Sequence, residues 1–273
     1  MSSSQPTVTS LPGGHLDTEK MPGHWLLAKL GKRVLRPGGL ETTEALLSAL
    51  DIGLSDDIIE FAPGLGGTAR MMLARNPRSY VGVERDQEAV DFARHQFSDF
   101  KVIDIRAGPA DATGLESGRA SVVIGEAMLT MNTEAHKKQI IAEAFRLLRP
   151  AGRYGIHELK ITSDDLSSDK HAEIDKALSA QIHVGARPLP SSGWRNLLEE
   201  AGFVVEAEGE APMHLLHPRR MIADEGFMRT LGIAGNLLRD GAARKRVLGM
   251  RHVFNAYREH LAATYLVARK PAT

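Results

Sequence analysis

The 273-residue chain contains no cysteine. That excludes disulfides, cysteine-bound zinc, iron–sulfur clusters and every thiolate nucleophile. Aromatic residues are few, at 5%, and neither charge sign prevails, with 34 Lys and Arg against 34 Asp and Glu. A chain without a net field has no global attraction for a polyanion, so no nucleic-acid partner is expected. Long apolar runs are also missing, and Met1-Ser2-Ser3-Ser4-Gln5-Pro6 lacks the basic and apolar regions of a secretory signal. No membrane span and a cytoplasmic location are therefore expected. What is present is a globular composition, 42% hydrophobic and 25% charged, in a chain long enough to bury a sizeable core.

Residues 1–22, rich in Ser, Thr, Pro and Gly, read as a flexible arm. Residues 23–56 read as N-terminal helices: Trp25, Leu26, Leu27, Leu30 and Val34 recur at helical spacing, with Leu35-Arg36-Pro37-Gly38-Gly39 as the stop. From residue 57 to the end, short apolar runs alternate with helical stretches, as in an α/β domain with a doubly wound, mostly parallel sheet. Strands are expected at 57–61, 79–84, 102–106, 121–125, 154–158, 203–206 and 264–269. Helical insertions near 162–185 and 218–260 would supply a lid.

The chemistry centres on the turn after the first strand, Glu60-Phe61-Ala62-Pro63-Gly64-Leu65-Gly66-Gly67-Thr68. Glycines there let a ligand approach the backbone, and a following helix offers N–H groups to an anionic group. Glu84 follows Gly64 by twenty residues, at the end of the second strand, where a carboxylate can accept both hydroxyls of a ribose. An adenosine-containing ligand fits this pair. The nicotinamide-dependent oxidoreductases share both features, since Gly64-Leu65-Gly66-Gly67-Thr68-Ala69 also fits the looser dinucleotide fingerprint.

Further residues separate the two. Glu60 to Gly66, Val83-Glu84, the turn Leu147-Leu148-Arg149-Pro150-Ala151-Gly152 and the stretch Ser192 to Phe203 resemble class I S-adenosylmethionine-dependent methyltransferases. The resemblance covers roughly residues 40–160, 186–205 and 260–270. It implies a seven-stranded Rossmann-like sheet whose one antiparallel strand is Thr264 to Arg269, and S-adenosylmethionine as cofactor. Carried over, Glu60, Ala62, Pro63, Gly64 and Gly66 would face the methionine part and Glu84 the ribose. Arg85 would flank the nucleoside, Gly108-Pro109-Ala110 would face the adenine, and Gly125-Glu126-Ala127 would lie near the transferred methyl. Gly38 and Gly39 would cover the methionine end. Pro109, Ser121 and Ala151 depart from residues common in the family.

The expected function is methyl transfer to a small-molecule acceptor by direct displacement, which needs alignment and exclusion of water but no metal. A general base would assist a hydroxyl or amine acceptor. Glu126 and His157 are the first candidates, with Glu158, His24 and His183 behind them. A nicotinamide-dependent oxidoreductase, and a protein that binds S-adenosylmethionine without catalysis, are the alternatives. The basic stretch Arg239 to Arg251 reads as a solvated helix face, and oligomeric state is left open.

Overall fold

The computed structural model describes residues 11–213 and 215–272. In chain order the elements are α1 (Gly23–Lys29), α2 (Gly39–Leu50), β1 (Asp57–Phe61), α3 (Gly67–Leu73), β2 (Ser79–Glu84), α4 (Gln87–Gln96), β3 (Ile103–Ala107) and β4 (Ala120–Glu126). There follow α5 (Glu134–Leu147), β5 (Leu148–Ile161), α6 (Ser168–Ile182), β6 (Leu189–Pro190), α7 (Ser191–Glu200), β7 (Val204–Pro212), α8 (Pro218–Glu225), α9 (Phe227–Arg239), α10 (Gly241–Ala256) and β8 (Leu261–Arg269).

The sheet order is β3-β2-β1-β4-β5-β8-β7, with the two-residue β6 paired to β5. Only β8 runs against the rest, antiparallel to both β5 and β7. Alternate residues of each strand feed opposite faces, so Ile58 and Val122 pack with Leu46, Leu50 and Met72 of α2 and α3. Their neighbours Ile59 and Val123 pack with Ile140, Ile141 and Leu198 of α5 and α7. Burial on both faces explains why these strands read as continuous apolar runs. Trp194, fully buried, donates its indole N–H to the Leu159 carbonyl at 3.2 Å and pins α7 beneath β5.

A third apolar cluster joins α1, α6 and the α8–α10 helices into a cap, with Met21, Leu26, Ile174, Leu178 and Met250 at its centre. Two expectations need correction here. Residues 11–22 are not a free arm, because Met21 is buried and the Gly13 N–H donates to Glu88 at 2.7 Å; the first ten residues lie outside the described residues. The first helix ends at Lys29, and Leu30 to Gly38 crosses the site without helical structure. Leu30 and Val34 are buried all the same, which is why they imitate a continuing helical stripe. Among the described residues no helix is long and apolar enough to cross a membrane, and no three His, Asp or Glu cluster as metal ligands would.

Candidate active site

The carboxyl ends of β1, β2 and β4 open into one cavity of about 610 Å³, roofed by the N-terminal segment and the cap. That is where an open α/β sheet offers a ligand crevice, and the size suits a cofactor together with a small acceptor. Two non-glycine residues in its wall, Ala62 after β1 and Ala127 after β4, take the left-handed conformation, each with φ +52°. Their N–H groups donate across to Val83 and His157 carbonyls at 2.8 and 2.7 Å. Backbone held this way at strand ends turns the following residues sharply into the cavity.

Of the expected cofactor residues, Glu60, Ala62, Pro63, Gly64, Glu84, Arg85, Gly108, Pro109, Ala110, Glu126 and Ala127 line this cavity. Gly38, Gly39, Gly66 and Gly125 do not. A Cβ on Gly38 would meet Thr42 Oγ1 at 2.2 Å, and one on Gly39 the Asp224 carboxylate at 2.4 Å. This pair, at φ +68° and +67°, turns the chain into α2 and leaves room for α8. At Gly66 the neighbour is the Phe97 ring, 2.5 Å from a Cβ, so that glycine serves packing against α4. Gly125 lies behind the wall, against Met128.

Six carboxylates, from Glu60, Glu84, Asp86, Asp111, Glu126 and Glu158, line the cavity beside Arg33, Arg36 and Arg85. Glu84 accepts the Gly64 and Asp86 backbone N–H groups at 3.2 and 3.1 Å, which fixes its carboxylate on the wall. Burial raises its pKa, opposed by these bonds. Glu60 is buried more completely and accepts from the Tyr80 hydroxyl. Desolvation pushes its pKa up to about 8 against that bond, and the nearby Glu126 charge adds to the rise. Such a group is poised to ionise when a cation arrives.

Glu126 has the opposite environment. Its carboxylate accepts from Thr43 Oγ1 at 2.8 Å, from Thr68 Oγ1 and from His157 Nδ1 at 2.8 Å, with Arg36 Nε 3.6 Å away. Burial alone would raise its pKa, but the Arg36 charge and the His157 bond overcome that and hold it down to about 2. A carboxylate so acidic is a poor proton acceptor near neutrality. His157 is fully buried, and its Nε2 faces the Pro37 carbonyl at 2.6 Å. Both ring nitrogens thus face oxygen atoms, one of the Glu126 carboxylate and one of the Pro37 carbonyl. Through these bonds Glu126 and His157, the residues expected to supply a general base, tie Pro37 and Arg36 of the N-terminal segment to α2, α3, β4 and β5.

Glu158 is likewise occupied, accepting the Met128, Leu129 and Thr130 N–H groups and the Thr130 hydroxyl within 3.0 Å. His183 is exposed at the end of α6 and outside the wall. His24 does line the cavity, beside Trp25, and burial lowers its pKa to about 4 against the pull of Asp86. Sequence reasoning missed Arg36 as a site residue. Its guanidinium reaches the start of α3, with Nη1 3.6 Å from where a Gly67 Cβ would stand and Nη2 3.9 Å from Met71 Sδ. An Arg followed by Pro37-Gly38-Gly39 carries no spacing signal of its own.

The buried Glu60 carboxyl suits a cationic group, and Glu84 beside the glycine turn suits a ribose. S-adenosylmethionine, with its sulfonium and ammonium groups, fits this donor set. A methyltransferase domain model matches residues 58–152, so the chain carries a methyltransferase domain of the S-adenosylmethionine-dependent kind. Over 220 residues it is 32% identical to a Haemophilus influenzae protein of uncharacterized function, covering 80% of this chain and 86% of that one. A ribosomal RNA small subunit methyltransferase A from Marinobacter nauticus is 29% identical over 114 residues, 41% of this chain and 40% of the relative. Among solved structures, the Haemonchus contortus phosphoethanolamine N-methyltransferase 2, in complex with phosphomonomethylethanolamine and S-adenosylhomocysteine, superposes with a TM-score of 0.72 at 15% identity. That match covers 98% of this chain and 61% of that one. The nicotinamide alternative is thereby set aside.

Proposed function

We propose that the protein methylates a small, largely apolar acceptor by direct displacement. The observation that carries this reading is the continuity of the cavity, which runs from Glu84 past Glu126 and Ala127 to an aliphatic and aromatic wall. That wall is formed by Trp25, Leu159, Leu178, Met213, Met250 and Phe254. A charged polynucleotide backbone would find no partner there, whereas an apolar molecule would displace loosely held water.

S-adenosylmethionine supplies an electrophilic methyl carbon bound to a positive sulfur. Glu84 would hold the ribose, Glu60 the ammonium and Arg36 the carboxylate, while Gly108, Pro109 and Ala110 would border the adenine. Ala62, Pro63 and Gly64 would run beside the methionine chain, Arg85 beside the nucleoside, and Ala127 near the reacting carbon. The buried Arg36–Glu126–His157 contacts would keep the N-terminal segment closed over the reacting groups. Rate would then come from alignment and exclusion of water.

Release of S-adenosylhomocysteine across apolar phenols, amines and activated carbon acids tests this, with ribosomal RNA as the control. Turnover on RNA and on no small molecule would refute the acceptor class. Leu178, buried on α6 in the cavity wall, offers a second check. Leu178→Trp should lower turnover of the best acceptor at least about tenfold by filling its space. Affinity for S-adenosylhomocysteine, measured by calorimetry, should change less than about twofold, because the substitution lies away from Glu60 and Glu84.

A further inference from the structure

The outer face of α9 is apolar where a helix facing water is normally polar. Phe227, Leu231, Ala234 and Leu238 recur at spacings of four, three and four, which places them along one side. Phe227, Met228, Leu231 and Leu238 are 60%, 78%, 50% and 74% exposed. The opposite side is fixed inward by buried Ile233 and by Asn236, whose amide donates to the Leu30 carbonyl at 3.1 Å. Ile222 of α8 and Leu248 of α10 add exposed aliphatic surface on the neighbouring helices. A patch of this kind on a folded protein marks something that covers it.

The charge around the patch indicates what that is. Residues 218–256 hold eight Lys and Arg against three Asp and Glu, in a chain that is neutral overall. Arg219, Arg239, Arg244, Lys245 and Arg251 form no ion pair with any described residue. Apolar side chains flanked by unpaired cations match the interface of an anionic bilayer, where the side chains enter the acyl boundary and the cations meet lipid phosphates. A nucleic acid would use the cations but leave Phe227, Met228, Leu231 and Leu238 against charged phosphates. A second copy would bury the apolar stripe but bring like charges together. No helix of the described residues spans a membrane, so the contact is peripheral.

We propose that the α8–α10 cap docks on the surface of an anionic phospholipid membrane, with α9 lying in the interface plane. At thirteen residues α9 is about 20 Å long, enough to seat three helical turns. The proposal goes beyond the methyltransferase reading and does not require it.

The test is co-sedimentation of the full chain with vesicles of phosphatidylcholine containing one quarter phosphatidylglycerol, beside vesicles of phosphatidylcholine alone. Binding should favour the anionic vesicles and weaken as salt rises. Leu231→Ser with Leu238→Ser should lower partitioning at least about tenfold, as expected from the apolar area removed. Affinity for S-adenosylhomocysteine should be unchanged in that double variant, which certifies its fold. No binding to anionic vesicles, or equal binding by the double variant, would overturn the proposal. So would a concentration-dependent dimer that the same substitutions disperse in the absence of vesicle binding, or binding to duplex RNA but not to vesicles.

Discussion

Glu126→Gln should destabilise the protein by about 3 kcal/mol, a fall of roughly 5–10 °C in melting temperature, because it leaves the buried Arg36 guanidinium without its anion. Arg36 and His157 converge on that carboxylate from opposite sides, with Thr43 and Thr68 completing its shell. The folded pKa, about 2, lies below the ordinary 4.5. The stabilisation is therefore complete above about pH 4.5 and is lost as pH falls through 2. The variant should accordingly approach the parent in stability only in acid. Hydrogen exchange should quicken in residues 31–39, whose Pro37 carbonyl is held by His157. A variant with parental stability and exchange but with turnover reduced a hundredfold would instead make Glu126 a general base.

Glu60→Gln should do the reverse: raise stability and weaken the cofactor. With a folded pKa of about 8 against an ordinary 4.5, the burial of this acid is favourable to folding only while it is protonated. Its contribution is full below about pH 4.5 and is lost as pH rises through 8. At pH 7 the neutral amide should restore about 2–4 kcal/mol, or roughly 5–10 °C. The Tyr80 hydroxyl can still donate to the amide oxygen. Cofactor binding should show the linked effect, since an ionised Glu60 is what a cation prefers. Calorimetry at pH 7 in buffers of different ionisation enthalpy should register release of nearly one proton per cofactor, and the variant should release none from this site. Equal proton release by parent and variant would place the cation elsewhere.

The contrast between these two glutamates shows what a sequence can and cannot carry. Both lie near the end of a strand in the cavity wall, yet the partners packed around them separate a carboxyl that is largely neutral at pH 7 from one that is charged there. Strand ends themselves were legible. The expected spans 57–61 and 79–84 coincide with β1 and β2, because strands buried on both faces have unbroken apolar runs between polar turns. The place of Glu84 beside the glycine turn was legible too, since it depends on a spacing along one βαβ unit. β5 was harder. It begins at Leu148 and passes through Pro150 and Gly152, with a register irregularity against β4, so its first turn reads as a helix stop.

The glycines at 38, 39 and 66 illustrate a different limit. A sequence states that a Cβ is missing but not what would occupy its place, and here the occupants are Thr42, Asp224 and Phe97. The cluster around Glu126 was illegible for a third reason: Arg36, Thr43, Thr68 and His157 come from four segments brought together only by the tertiary fold. Their types, spread over a loop, two helices and a strand, match ordinary caps and surface groups.

Methyl transfer here requires S-adenosylmethionine in the cavity beside Glu84. Calorimetric titration of the parent protein and of Glu84→Ala with S-adenosylhomocysteine tests this most directly, because Glu84 is the wall carboxylate fixed by the glycine turn itself. One molecule should bind per chain, and the substitution should weaken binding about a hundredfold or more through the loss of two charge-assisted bonds to the ribose. Failure of the parent to bind, or undiminished binding by a folded Glu84→Ala, would contradict it.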